Sequence, residues 1–293
     1  MTTRRTFFKK AALGTLALSW AGSAMAWDKI IPLGWGRILP PVPADEAGEP
    51  FRLGLAGYTF VNFKLDPALE MMRKVDVKYL CIKDFHLPMK STAEEIAAFH
   101  AKLKESGVTG YGVGPIYMKT QEAIDQAFDY AKRVGVDLIV GIPEVSDLPY
   151  VEKKVKEYNI RYAIHNHGPG DKIYPNAVTV HSYIKDLDPR VGLCFDIGHD
   201  MRYGDDPIAD FQKYHKRIFD MHLKNVTSAT HDGKTNELGR GVIDIPELVK
   251  TLRKVKYSGV CALEYEKDMK DPLAGIAESV GYFRGVLDAS RKS

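Results

Sequence analysis

Long apolar runs are scarce in this 293-residue chain. The apolar stretch "AALGTLALSW" near the N-terminus is about ten residues, too short to cross roughly 30 Å of hydrocarbon as a helix. Cysteine is scarce too. The three present, Cys81, Cys194 and Cys261, lie in the strand-like runs "KYLCIKDF", "VGLCFDIG" and "GVCALEYE", which suit buried free thiols better than a disulfide framework. Missing as well is any basic stripe with interleaved aromatics, so a nucleic-acid partner has little electrostatic support. No Gly-x-Gly-x-x-Gly turn follows the first strand candidate, which weighs against a doubly wound dinucleotide-binding sheet.

What is present begins with an export pattern. "TRRTFFKK", the apolar run and "AGSAMAW" supply a positive region, an apolar region and the small-x-small site Ala24-Met25-Ala26. The Arg4-Arg5 pair resembles the twin-arginine class, so residues 1–26 are expected to be a cleaved signal. The chain is then expected to be periplasmic or secreted, with no stable membrane anchor in its mature form. Removing those residues takes four positive charges and no acidic one, moving the formal net charge from +3 to −1. Residues 27–50, with five prolines and no period, read as a linker or a wrapping segment.

From residue 51 to 293 short apolar runs alternate with helical stretches. The strand candidates are "RLGLAGYTF", "VKYLCIKDF", "VTGYGVG", "VDLIVGIPE", "IRYAIHNHG", "VGLCFDIGH", "RIFDMHLKN" and "YSGVCALEYE". "STAEEIAAFHAKLKESG" opens on a Ser/Thr-x-x-Glu capping box and ends at glycine, and "TQEAIDQAFDYAKRVG" reads as built the same way. Eight such units predict an α/β fold, a single (β/α)8 barrel, because parallel strands need crossover helices and eight can close without an edge.

Polar residues gather where those strands end. Lys83, Asp84 and His86 follow strand two, Glu144 ends strand four, and His165 and His167 lie on strand five. Asp196 and His199 end strand six, Asp220, His222 and Lys224 lie on strand seven, and Glu264 and Glu266 end strand eight. Unpaired charge in such apolar runs is costly, so these groups need a metal, a partner or water. Residues two apart share a strand face, which aims His165 with His167 and Asp220 with His222, while Asn166 points away. Mixed imidazole and carboxylate donors suit one divalent ion, Mn, Co, Zn or Fe, and Mg less well. Each residue also has a plainer reading: a core imidazole for His165, turn chemistry for Asp196, a lysine partner for Glu264. Arg240, between glycines in "LGRGVIDIP", suits an anionic or polyol substrate or belongs to a plain loop.

The runs "CFDIGH", "DMHLKN", "LGRGVIDIP" and "ALEYE", in this order, resemble the xylose isomerase-like, sugar phosphate isomerase/epimerase superfamily of TIM barrels over roughly residues 51–288. In its ketose 3-epimerases and apurinic endonucleases a strand-five Glu, a strand-six Asp, a strand-seven His and a strand-eight Glu hold a metal. The resemblance assigns the last three to Asp196, His222 and Glu264, and a substrate-contacting role to His199. It departs at strand five, where His165 stands in place of a glutamate that, in the epimerases, also exchanges protons with the strand-eight glutamate. "IKDFHLP" and "HNHGP" are similar to an exported subgroup associated with lyase or hydratase action on 3-keto-glycosides.

The expectation is therefore a metal-dependent enzyme acting on a sugar or keto-sugar, possible as a homo-oligomer. It removes a proton beside a carbonyl, with Glu144, Lys83 or His167 as base, His86 as acid, and His199, Arg240 and Lys224 contacting substrate. β-Elimination is favoured over isomerisation or epimerisation. The rivals from other classes are a non-catalytic periplasmic sugar-binding barrel and an accessory subunit.

Overall fold

A computed structural model describes residues 48–291. The expected signal and most of the proline-rich segment, residues 1–47, lie outside the described residues. The strands are β1 (Arg52–Ala56), β2 (Tyr79–Ile82), β3 (Thr109–Met118), β4 (Leu138–Pro143), β5 (Arg161–His165), β6 (Val191–Asp196), β7 (Ile218–Leu223), the short β8 (Asn225–Val226) and β9 (Thr235–Asn236), and β10 (Val260–Leu263). The helices are α1 (Leu65–Lys74), α2 (Ala93–Glu105), α3 (Gln121–Val134), α4 (Leu148–Tyr158), α5 (Ala177–Ile184), α6 (Ile197–Tyr203), α7 (Pro207–Tyr214), α8 (Ile245–Lys254) and α9 (Leu273–Ala289).

Among the described residues, eight parallel strands close in the order β1-β10-β7-β6-β5-β4-β3-β2. Seven of the eight expected runs contain one of them whole, and β3 continues past the expected "VTGYGVG" to Met118. β8 and β9 form a separate antiparallel pair in the long β7–α8 connection. Two apolar layers hold the barrel. Inside it, Cys81, Leu138, Val140, Ala163 and Cys194 pack around Tyr111 and Phe219. Outside, Leu80, Ile139, Ile164, Phe195 and Met221 face buried helix residues such as Phe99, Phe128 and Leu252. All three cysteines are buried and free, as their apolar surroundings require. Among the described residues no helix is long and apolar enough to cross a membrane.

The helix starts follow local chemistry, with one difference from expectation. Thr92 and Glu95 exchange hydrogen bonds of 3.2 and 2.8 Å across the α2 start, completing the capping box. Thr120 caps α3 by accepting from the Ala123 amide at 3.2 Å, but alanine at that third position cannot reach back, so the second α3 cap bond is missing. Gly135 and Asn159 end α3 and α4 in the left-handed conformation. The chain enters the barrel pinned by Glu49, whose carboxylate accepts from the Arg253 guanidinium.

Thr92→Ala is expected to cost about 1–2 kcal/mol and Thr120→Ala about half as much, since only the first breaks a reciprocal pair. Urea unfolding of the two variants checks this, and equal losses would contradict it.

Candidate active site

The C-terminal strand ends carry the ionisable residues, and the backbone places them in register. His165 is the last residue of β5 and Asp196 the last of β6, His222 lies one residue before the end of β7, and Glu264 follows β10. Asp196 pairs with His222 across the ladder. Asn166, pointing away from His165 and His167 as strand parity requires, is fully buried. Its amide donates to the Asp196 carbonyl at 3.0 Å and accepts from the Asp196 amide at 2.9 Å, extending the β5–β6 ladder with a side chain. Asp196 also caps α6 through the His199 amide at 2.8 Å. His199 therefore stands in the first turn of α6 and not on the strand, a correction set by that cap.

The four side chains His165, Asp196, His222 and Glu264 each offer a donor atom, and these lie within 4.8 Å of one another. His165 Nε2 is 2.9 Å from His222 Nδ1, which is 3.2 Å from Glu264 Oε2, and Asp196 Oδ2 is 3.9 Å from both histidines. Donors about 2.0–2.2 Å from a shared ion and roughly at right angles or wider stand about 3–4 Å apart. The separations match one ion at the centre. Core histidines normally have their ring nitrogens satisfied, yet His165 Nδ1, His222 Nε2 and Asp196 Oδ2 are buried without a hydrogen bond. The orphaned Asp196 Oδ2 faces the shared centre and, with the distances, fits a divalent cation, whereas the two orphaned ring nitrogens are the ones turned away from that centre.

Lys224, one residue past β7, lies beneath this cluster. Its ammonium is 2.9 Å from Asp196 Oδ2, without hydrogen-bond alignment, 2.8 Å from Glu264 Oε2 and 3.3 Å from Glu266. At 1% exposure it binds carboxylates and does not reach the cavity expected for a substrate contact. Gly198 makes room for it, because a Cβ there would stand 2.7 Å from Lys224 Cγ. Burial opposes the ammonium, but Asp196 and Glu264 outweigh it and hold its pKa well above the lysine range. Burial also opposes an ionised Glu264, yet His222 and Lys224 keep its carboxyl well below the usual range. Burial favours neutral His222, and Glu264 overcomes it, raising the imidazole to about 9. His165 is pushed the other way, well below the ordinary value, by burial and then by the charge of His222.

Above the cluster opens a cavity of about 220 Å³ lined by Tyr58, Lys83, Pro115, Tyr117, His165, His167, His199, Glu264 and Glu266. His167 stacks on Tyr117 with 5.8 Å between ring centroids and a 21° tilt. Its Nε2 is 3.4 Å from the Tyr117 hydroxyl and its Nδ1 is 3.3 Å from Asp171. Lys83 donates to the Pro115 carbonyl at 2.6 Å and pairs with Asp84 at 3.3 Å. Burial drives His199 down to about 3, so its ring is neutral.

Three expected residues lie elsewhere. His86 is turned outward because the Lys83 carbonyl accepts from the His86 and Leu87 amides, and its Nε2 meets the Phe63 carbonyl at 2.9 Å in a separate groove against α2. Glu144 follows β4, which stops at Pro143, and its carbonyl closes a 3₁₀ turn by accepting from the Asp147 amide, so it does not line the cavity. Arg240 is exposed and bridges to Glu278 on α9 at 2.5 and 2.7 Å. Sequence reasoning missed Tyr58, Pro115, Tyr117 and Asp171. Glu266 was legible through its parity with Glu264, whereas Asp220 of the same parity as His222 lies deeper, against Tyr111 and Cys194.

A closed (β/α)8 barrel with a His/Asp/His/Glu cluster at its C-terminal mouth defines a class of barrel enzymes that work at that face. The chain belongs to the xylose isomerase-like TIM barrel family, which matches residues 56–286. It is similar to the rhizopine catabolism protein MocC of Rhizobium meliloti, at 28% identity over 131 residues, a match spanning 40% of this chain and 40% of that protein. Among solved structures, a protein of Parabacteroides distasonis shares 25% identity at a TM-score of 0.64, covering 80% of this chain and 99% of the other. The 3-keto-D-glucoside 4-epimerase YcjR of E. coli shares the fold at a TM-score of 0.60 and 14% identity, covering 80% and 99%.

Asn166→Ala leaves the Asp196 amide and carbonyl buried without partners and is expected to cost about 2–4 kcal/mol in urea unfolding. An unchanged midpoint would show that this latch does not hold the strand ends.

Proposed function

We propose that the chain is a divalent-metal-dependent enzyme that removes the proton beside a carbonyl of a sugar or keto-sugar, with β-elimination of a 3-keto-glycoside as the favoured outcome. The observation that carries the reading is the four-donor cluster, two of whose members, His165 and Glu264, line the cavity. His165, Asp196, His222 and Glu264 would hold one ion, and its nitrogen and oxygen donors suit Mn, Co, Zn or Fe better than Mg. Bound there, such an ion supplies Lewis-acid polarisation of a substrate carbonyl. The cavity, at about 220 Å³, lies below the roughly 300–1,000 Å³ of drug-sized sites, which suits a monosaccharide unit.

His167 is the base of this reading. Burial lowers its pKa, so the ring is neutral near pH 7, and Asp171 beside Nδ1 leaves Nε2 to take a proton in the cavity. Lys83 offers an ammonium that stabilises negative charge developing on a substrate oxygen. Glu266 is the acid: burial raises its carboxyl above the ordinary value, and it lines the same cavity. In a 3-keto-glycoside the C2 proton passes to His167, the C1–O bond breaks, and the departing oxygen takes the Glu266 proton. Glu264, tied to His222 and Lys224, is a poor proton acceptor, and His165 replaces the other carboxylate of a two-sided exchange. That asymmetry favours elimination. The isomerase or epimerase reading with the same cluster draws on the fold shared with the 3-keto-D-glucoside 4-epimerase. In this proposal the twin-arginine segment sends the folded enzyme to the periplasm.

Incubating the Mn2+-loaded protein with a 3-keto-glucoside in deuterated water is expected to release the aglycone and a 2-hydroxy-glycal. Solvent deuterium retained at the α carbon of an intact ketose would instead overturn elimination in favour of isomerisation or epimerisation. His167→Ala should lower kcat by about 10²–10⁴. Elemental analysis of Asp196→Ala and His222→Ala should show metal loss, and full occupancy in both would refute the site.

A further inference from the structure

Starting one residue past His199 on α6, the carboxylates of Asp200, Asp205 and Asp210 bring oxygens within 4.8 Å of one another. They come from α6, the α6–α7 connection and the first turns of α7. Asp200 is fully buried. Its Oδ1 accepts from the Ala177 amide at the start of α5, at 3.0 Å, while Oδ2 is buried with no hydrogen-bond partner. The free oxygen of a wholly buried carboxylate thus stands in a group of three acids, where repulsion disfavours having all of them ionised without a counter-charge.

The geometry points to a second cation site here, an all-oxygen site for a hard cation, with Ca2+ as its occupant. Oxygen-only donors select Ca2+ or Mg2+ over the softer ions suited to the barrel mouth. The three oxygens lie within 4.8 Å of one another, inside the span of a Ca2+ shell at about 2.3–2.6 Å per oxygen, and Ca2+ accepts an irregular set of carboxylates and waters where Mg2+ demands a near-ideal octahedron at about 2.0–2.1 Å. Asp205 and Asp210 are half-buried, so water can reach the site and complete the shell.

The position gives the ion a task. Asn176, which caps α5 through the Thr179 amide, donates to Asp205 Oδ2 at 2.5 Å, so the acidic group ties the α5 start to both α6 and α7. The β5–α5 connection that ends there carries His167 and Asp171, and α6 carries His199. A cation joining the three carboxylates fixes the two segments that flank the cavity. The other way to relieve the repulsion is a proton on Asp200, whose carboxyl burial raises to about 8.

Thermal unfolding of the full chain with Mn2+ held constant and CaCl2 titrated to millimolar levels tests the site. The expected result is a rise of about 2–5 °C in Tm, with half-effect near or below a millimolar. Asp205→Asn and Asp210→Asn, at half-exposed positions, should each weaken the Ca2+ response at least tenfold, while Glu264→Gln in the barrel mouth should keep it. No rise in the wild type, which leaves the proton on Asp200, would overturn the proposal. So would an equal rise in both acidic variants, or loss of the rise in Glu264→Gln. None of these outcomes depends on turnover, so the proposed sugar chemistry stands or falls separately.

Discussion

Asp196 is held from several directions at once, and the mouth of the barrel depends on it. Its backbone is latched to Asn166, its Oδ1 caps α6 through the His199 amide, and its Oδ2 faces Lys224 and the two histidines. One residue thus ends β6, starts α6 and aims a carboxylate oxygen at the cluster centre. A fully buried carboxylate with so many constraints has no rotamer freedom left, and that rigidity is what a metal ligand or a catalytic scaffold requires.

The charge arrangement around it is self-compensating. Burial penalises every ionised group in the cluster, but lysine, carboxylates and one imidazole pair so closely that Glu264 stays ionised and His222 holds a proton. Buried ion networks add little to stability over a well-packed apolar core, and removing one member leaves its partners uncompensated. Their presence here is a matter of site chemistry. A divalent ion held by these four residues would need the His222 lone pair, which the proton on that ring would contest.

The same economy appears in the cavity walls. Aromatic surface from Tyr117 supports His167, the Pro115 carbonyl anchors Lys83, and Asp171 faces the far side of the His167 ring. His167 and Lys83 are oriented by neighbours contributed from β3 and the β5–α5 connection, not by their own strands. Gly168, at φ +82° directly after His167, lets that connection turn while its α carbon passes close to the His199 ring.

The alternation of apolar runs with capped helical stretches was enough to specify a closed barrel, because a period of two and a period of 3.6 bury different faces and parallel strands demand crossovers. Pleat parity was enough to group His165 with His167 and set Asn166 aside. The sequence by itself thereby determined the fold class and the strand ends where the ionisable residues gather, while the family resemblance singled out His165, Asp196, His222 and Glu264 among them. It could not place residues just past a strand end, where no period constrains direction. Only the tertiary structure turned His86 to the Phe63 carbonyl, Arg240 to Glu278 and Glu144 into a turn, and only it sank Lys224 among three carboxylates from two strand ends. Apart from the local Glu144 turn, those positions follow from partners far away along the chain, and a linear pattern carries no information about which distant group will be in contact.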